Sequence, residues 1–496
     1  MTQTLLGTRP AFLDGRPKQL LIDGEWSDAL SGETIESIDP STGELLGSVA
    51  RAGAADVDRA VAAARRAFAE GPWSRFTPAD RSRVINRLAD LIEEHADELI
   101  HVDSMDMGTP VKFMNFMMGA ILSNFRYAAG QALNLQGATI PNSIPGDVFT
   151  YTLREPVGVV GAIIPWNGPL FQASWKLGAA LATGCTIVIK PAEQAGFAPL
   201  LLGRLCLEAG IPAGVVNVVT GDAEAGAALA EHPDVDKVTF TGSTETGRHI
   251  IRASAGNIKR LTLELGGKSP DIVFADADLD AAVPGAAMAA FVNSGQACSA
   301  GTRLYVQRGV YDEFTEKVAA FAKTLKIGNS LDPETDLGPL VSAEQLDRVS
   351  GYLAAGHSDG AHALSGGARL VTEGLDAGYF VAPTTFVGVE DSMSIAREEI
   401  FGPVLSAMPF DDIDDVIRRA NDTSYGLASG VWTTNVNTFQ RVSRALRAGT
   451  VYGNTYAQMD SAVPFGGYKT SGYGRENGHE HFDAYLNTKS VYLKSN

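Results

Sequence analysis

The chain has only three cysteines in 496 residues, at positions 185, 206 and 298. An odd number so widely spaced builds neither a disulfide framework nor a CxxC metal site, so free thiols in a reducing compartment are expected. Long apolar runs are missing as well. Nothing approaches the ~20 residues of a membrane span, and the start "MTQTLLGTRPAFLDGRPKQL" lacks the apolar stretch of a secretory signal. A cytoplasmic location is expected. Positive charge is in deficit, with 58 acidic against 40 basic residues and a net charge of −18, which argues against nucleic acid or an anionic membrane as partner. The dinucleotide fingerprint G-x-G-x-x-G is absent. The P-loop imitation "GGKS" at 266–269 fails because Thr262 stands where that loop needs glycine. Histidine is scarce and lies beside no motif, and "HEH" at 479–481 has too few ligands for a metal, so none is assigned.

What is present is a chain long enough for two or three domains. "LIDGEWSD" reads as a short hairpin. Residues 54–132 then show helical periodicity, as in "DVDRAVAAARRAFAEG" and "RSRVINRLADLIEEHADELI", which predicts surface helices with one buried face. Residues 133–156 turn extended, punctuated by proline and glycine around "VFTYTL", and read as an exposed hairpin or arm. From 157 the runs "VGVVGAIIP", "TIVIKP", "VVNVVTG" and "KVTFTG" alternate with helical stretches, which predicts a parallel sheet of nucleotide-binding type. A second α/β series follows to about residue 470, with "SVYL" as a terminal strand, and the boundary between the two series is placed after 265.

Two features of this plan carry chemistry. "VIKPAEQ" ends a strand with Lys190 and Glu193, where ligands of open parallel sheets bind; a ribose diol would suit the pair, though a surface ion pair explains it equally. "FTGSTETG" runs a strand into Ser243, Thr244 and Thr246, which can cap a helix whose N-terminal amides hold a pyrophosphate, or simply cap a helix. Cys298 lies in "FVNSGQACSAG" among Gly295, Ala297, Ala300 and Gly301, small residues expected to leave its sulfur uncrowded. Cys185 and Cys206 sit in apolar stretches and read as packing.

Seven segments in one order, "PWN" at 165, "KPAEQ" at 190, "FTGSTETG" at 240, "ELGGKSP" at 264, "GQAC" at 295, "EEIFGPV" at 398 and "PFGGYKTSGYGRE" at 464, resemble the NAD(P)-dependent aldehyde dehydrogenase family over nearly the whole chain. The resemblance implies an α/β subunit in three parts: a Rossmann-type cofactor domain (1–132 and 153–265), an α/β catalytic domain (266–470), and a small β arm (133–152 and 483–496) whose hairpin pairs with the C-terminal strand across a dimer. A homotetramer built as a dimer of dimers is the implied assembly.

The resemblance also assigns roles. Cys298 is the nucleophile, Asn167 and the Cys298 amide hold the oxyanion, Glu264 is the base for hydrolysis, and Lys176 and Glu476 relay protons or order the site. Partial burial of Glu264 beside Leu265 is expected to raise its pKa from ~4.3. Cofactor contacts fall on Ile164, Trp166, Lys190, Glu193, Gly221, Ser243, Gly266, Glu399 and Phe401. A carboxylate at 193 favours NAD, with NADP the weaker alternative. The substrate tunnel is assigned to Met118, Ile121, Gly168, Trp175, Val292, Met459 and Phe465. Family members acting on small aldehydes often carry an aromatic residue after the "PWN" asparagine; Gly168 here implies a wider tunnel and a bulky apolar or aromatic aldehyde. The alternatives are a CoA-acylating relative, which commonly lacks the glutamate base, a binding protein on the same scaffold, and a cofactor-free cysteine hydrolase.

Overall fold

The six residues of Val159–Ile164 are all buried, as a strand covered on both faces requires. This strand is central to an eight-stranded sheet described by the computed structural model, which covers residues 9–495. The first eight residues, where the targeting reading begins, and Asn496 lie outside the described residues. Arg260–Glu264, Lys237–Thr241, Val159–Ile164, Thr186–Pro191 and Val216–Val218 run parallel in that spatial order. The hairpin Leu20–Ile22/Glu25–Ser27 extends one edge and Gly472–Tyr473 closes the other, both antiparallel.

After Glu264 the chain passes through Leu265–Ser269 directly into strand Pro270–Val273 of a second, seven-stranded sheet. No helix follows "GGKS", so the segment cannot act as a P-loop. The second sheet is parallel apart from its edge strand His362–Ser365 and contains Arg303–Gln307, Val404–Phe410 and Ala428–Trp432. The sequence boundary at 265 thus falls where the chain changes sheets, with the return of Gly472–Tyr473 as the exception.

Two expectations are corrected. Strand Val148–Pro156 pairs antiparallel with the terminal strand Leu486–Lys494 of the same chain, over nine register pairs, rather than across a dimer. The arm segment adds one further bridge, Thr139 to Tyr151. The helical region is also less superficial than its periodicity suggests. Helices Ala54–Ala69 and Pro78–Glu94 bury one face, but in Ala96–Met107 the last turns are buried nearly all round, including Asp103, Ser104 and Asp106. That helix is packed between helices Val111–Gln131 and Phe197–Glu208.

Candidate active site

Cys298 follows the helix Leu279–Phe291 through a turn in which Asn293, Ser294 and Gly295 all adopt positive φ (52°, 55° and 71°). The turn has no room for side chains at two places. A Cβ on Gly295 would lie 2.1 Å from the Gly402 carbonyl oxygen, and one on Gly267 would lie 2.3 Å from the Cys298 carbonyl oxygen. A Cβ on Gly301 would lie 3.0 Å from the Tyr456 ring. These glycines therefore seat the loop against its neighbours, which corrects the expectation that Gly295 and Gly301 clear space around the sulfur.

The thiol, half-buried, lies on the wall of a cavity of about 540 Å³. Asn167 lies on the same wall and donates one amide N–H to the Gln296 carbonyl at 2.9 Å, which fixes its plane and leaves the second N–H for a ligand oxygen. Burial, with the charges of Glu399 and Glu264 in support, pushes the Cys298 thiol up to about 12.

Glu264 ends the strand Arg260–Glu264 and is 2% exposed, with neither carboxyl oxygen hydrogen-bonded. Burial and then the neighbouring Glu476 hold its pKa well above the usual carboxylate range, so the expected rise is present and stems from full rather than partial burial. Nearby, Lys176 and Glu476 form a wholly buried ion pair at 2.6 Å; Lys176 Nζ also donates to Thr241 Oγ1 at 2.8 Å.

The other face of the site is a set of strand ends. Lys190, buried in the last pleat of strand Thr186–Pro191, and Glu193, half-exposed just beyond it, stand 3.6 Å apart. Ser243 accepts from the Thr246 amide at 3.1 Å and caps helix Thr244–Ala253. Ile164 is buried at the end of its own strand, where its carbonyl accepts from the Ala192 amide. Gly221 packs closely, its Cβ position 2.9 Å from the Ala52 carbonyl oxygen. Glu399 accepts from the Gly267 amide at 2.9 Å, and burial raises its pKa to about 7. A Cβ on Gly266 would sit 2.3 Å from Glu399 Oε2, so any larger residue there would displace the Glu399 carboxylate. Phe401, at φ 62°, meets Trp166 edge-on with ring centroids 5.2 Å apart. A cation, a carboxylate and a capped helix N-terminus beyond parallel strands suit the diol and pyrophosphate of a dinucleotide. Among the described residues no group of three or more His, Cys, Asp and Glu is placed to hold a metal.

Of the expected tunnel residues, Gly168, Trp175, Val292, Met459 and Phe465 line the cavity. Ile121 and Met118 do not: both are buried in the core and the expectation is corrected. Phe113, Phe116, Met117 and Ala120 of the same helix line it instead, at the i, i+3, i+4, i+7 spacing of one helical face. At Gly168 a Cβ would meet nothing nearer than Phe171 Cβ at 3.9 Å, so the position has room for a side chain. Reasoning from sequence missed Gln296, whose carbonyl orients Asn167, and Asp103, a buried carboxylic acid on the cavity wall. The signal for Asp103 was an acid at 103 and another at 106 in "HVDSMDM", three apart on one side of a helix.

A dinucleotide cradle of parallel strands beside an apolar cavity that holds a thiol is the arrangement of an oxidoreductase. The chain belongs to the aldehyde dehydrogenase family, whose model matches residues 26–491. It is 49% identical over 481 residues to the mitochondrial aldehyde dehydrogenase family 2 member B4 of Arabidopsis thaliana, covering 96% of this chain and 88% of that one. It is 48% identical over 476 residues to the mitochondrial benzaldehyde dehydrogenase of Antirrhinum majus, covering 95% and 88%. Among solved structures it superposes on the NAD+ complex of an aldehyde dehydrogenase from Bacillus cereus with TM-score 0.95, at 49% identity and 98% coverage of both chains.

Proposed function

We propose that the protein oxidises a bulky apolar or aromatic aldehyde to its carboxylic acid with NAD. The observation that carries this reading is the 540 Å³ cavity, walled largely by apolar side chains, with Cys298 and the Asn167 amide on one wall. Bound NAD supplies the hydride acceptor. The similarity to a structure solved with NAD+ supports NAD, and the Glu193 carboxylate, 3.6 Å from Lys190, favours it over NADP because it suits a 2′-hydroxyl and repels a 2′-phosphate.

Cys298 Sγ bonds the carbonyl carbon while the free N–H of Asn167 and the Cys298 amide hold the developing oxyanion. Because burial keeps the thiol protonated at neutral pH, attack must be coupled to loss of its proton, and the rate should rise with pH. Loss of hydride from the same carbon leaves a thioester on Cys298. Glu264 then takes a proton from the water that cleaves it and returns it to the departing Cys298 sulfur, releasing the acid and restoring the thiol. The Lys176–Glu476 pair bears on this step through the Glu476 charge, which raises the Glu264 pKa.

The same reading makes 1–132 and 153–265 the cofactor domain, 266–470 the domain that carries the Cys298 nucleophile, and 133–152 with 483–496, including the paired strands Val148–Pro156 and Leu486–Lys494, the arm for assembly. Phe149, Leu153, Tyr492 and Leu493 leave apolar surface exposed on that arm, which favours its burial in a dimer of dimers. Three unpaired cysteines favour a reducing, cytoplasmic setting. The test is NADH and NADPH formation across aliphatic and aromatic aldehydes, with Cys298→Ala as control. Aromatic aldehydes with NAD should give the highest kcat/KM; full activity in the Cys298→Ala variant would refute the mechanism.

A further inference from the structure

The cavity that holds Cys298 is far larger than the reacting groups need. At about 540 Å³ it falls among the sites of ~300–1,000 Å³ that enclose drug-sized ligands, so an aldehyde with a single ring leaves most of it unfilled. Its aromatic lining lies at two depths. Phe171, Trp175 and Phe465 are buried and form a run of rings with centroids 4.6 and 5.6 Å apart. Phe113, half-buried, and Phe116, 71% exposed, make a separate stack at the mouth, with centroids 6.3 Å apart and planes 25° apart.

Helix Leu279–Phe291 supplies a second wall, which runs from depth to surface. Ala289 is buried, Gly285 half-buried and Ala281 exposed, at the i, i+4, i+8 spacing of one helix face, so the wall extends about 12 Å along the axis. No side chain on this face is larger than a methyl group. At Gly285 a Cβ would lie 2.2 Å from the Trp432 ring, which lines the cavity there and is fixed by its indole N–H donating to Asp271 Oδ1 at 2.8 Å. Asn454, a polar residue on the lining, has both ends of its amide engaged by the Thr433 backbone at 2.9 Å. The deep end of the wall precedes the turn that carries Cys298, so this outer part of the cavity leads from the sulfur toward solvent.

We infer that the outer part is a subsite for an apolar group carried in line with the reacting carbonyl, so that the preferred substrates are aromatic aldehydes extended at the para position. The inference rests on the aldehyde-oxidising reading and narrows it to elongated substrates. Solvent beside a single-ring aldehyde would meet only rings, methyl groups and an already engaged amide along this wall, and an apolar extension displaces it with a gain that follows the apolar area buried.

The experiment compares kcat/KM with NAD for benzaldehyde, 4-ethyl-, 4-butyl- and 4-phenylbenzaldehyde, and for 3-butylbenzaldehyde, an isomer of the same composition that is not extended in line. It is run on the full-length wild type and on Ala281→Trp and Phe116→Ala, both altered at exposed positions. Using the ratio to benzaldehyde within each protein cancels general damage to the enzyme. In the wild type the ratio should rise about tenfold from the ethyl to the 4-butyl compound, since each buried CH₂ is worth ~0.8 kcal/mol, or about fourfold. The 4-phenyl compound should exceed benzaldehyde at least about tenfold, and 3-butylbenzaldehyde should fall well below its isomer. Ala281→Trp, which fills the outer end, should bring the 4-phenyl ratio to near one, and Phe116→Ala should lower it about threefold; a cut in either variant supports the subsite. Wild-type ratios near one, equal values for the two butyl isomers, or ratios unchanged in both variants would overturn the subsite while leaving aldehyde oxidation intact. Failure of the wild type to oxidise any of the five would overturn the parent reading, and the subsite with it.

Discussion

Replacing Glu264 by glutamine separates the two halves of the proposed reaction. The side chain is 2% exposed and makes no hydrogen bond through either oxygen, so an amide of the same shape removes no native partner. The locus of a Gly466 Cβ lies 2.7 Å from Glu264 Oε1, a close fit that glutamine preserves. Sulfur attack and hydride loss need no carboxylate at 264, whereas thioester cleavage does. Steady-state turnover should therefore fall by roughly 10²–10⁴, the usual worth of a general base. The first turnover should survive. Rapid mixing of Glu264→Gln with aldehyde and NAD should give a burst of about one NADH per subunit, and intact mass spectrometry should find the acyl group on the protein. Stability provides a second readout. Because the folded-state pKa is raised above the ordinary 4.5, the native protein holds a proton that the unfolded chain has lost. Wild-type stability must then decline as pH rises from about 4.5 towards the raised value, and the variant lacks that component of the decline. Steady turnover at the wild-type rate, with no burst and no acylated protein, would refute the assignment of Glu264 as base.

Other substitutions probe the remaining parts. Gly168→Phe should fill the space that now extends to Phe171 and lower kcat/KM for benzaldehyde about tenfold or more relative to acetaldehyde; equal losses on both substrates would count against a cavity opened by this glycine. Glu476→Gln leaves Lys176 as a buried cation without its 2.6 Å partner, so unfolding in denaturant should show a loss of about 3–5 kcal/mol. It should also move the alkaline rise of kcat to lower pH, because Glu476 is one of the causes that raise the Glu264 pKa. Glu193→Gln removes the carboxylate beside Lys190 and should cut kcat/KM for NAD at least about tenfold while NADP loses less; parallel losses would place Glu193 outside the ribose site.

How far the site can be read from the chain depends on how local its causes are. The strand-end placement of Lys190, Glu193 and Ser243 was legible because short β-branched runs such as "TIVIKP" and "KVTFTG" announce their own ends, and in a parallel sheet the strand end is where ligands sit. The lining helix Val111–Gln131 was not, for the opposite reason. Its stretch "FMNFMMGAIL" is apolar around much of its circumference, so periodicity cannot say whether Met117 or Met118 faces the cavity; packing against helix Pro169–Thr183 sets that phase. Gly295 is a similar case, since its neighbour Gly402 is remote in sequence and the close approach of the two backbones leaves no local trace. Chain ends pose a stricter limit. "VFTYTL" and "SVYL" are recognisable strands, but nothing in either says whether the partner belongs to the same chain or another. Asp103 shows where such limits become informative. The two acids of "HVDSMDM" look like a solvated helix face until the structure shows Asp103 and Asp106 buried between two other helices. Departures from local consistency that survive in a well-packed fold mark the positions where function can outweigh stability, and the Glu264 carboxyl, buried at a strand end with neither oxygen hydrogen-bonded, meets that criterion.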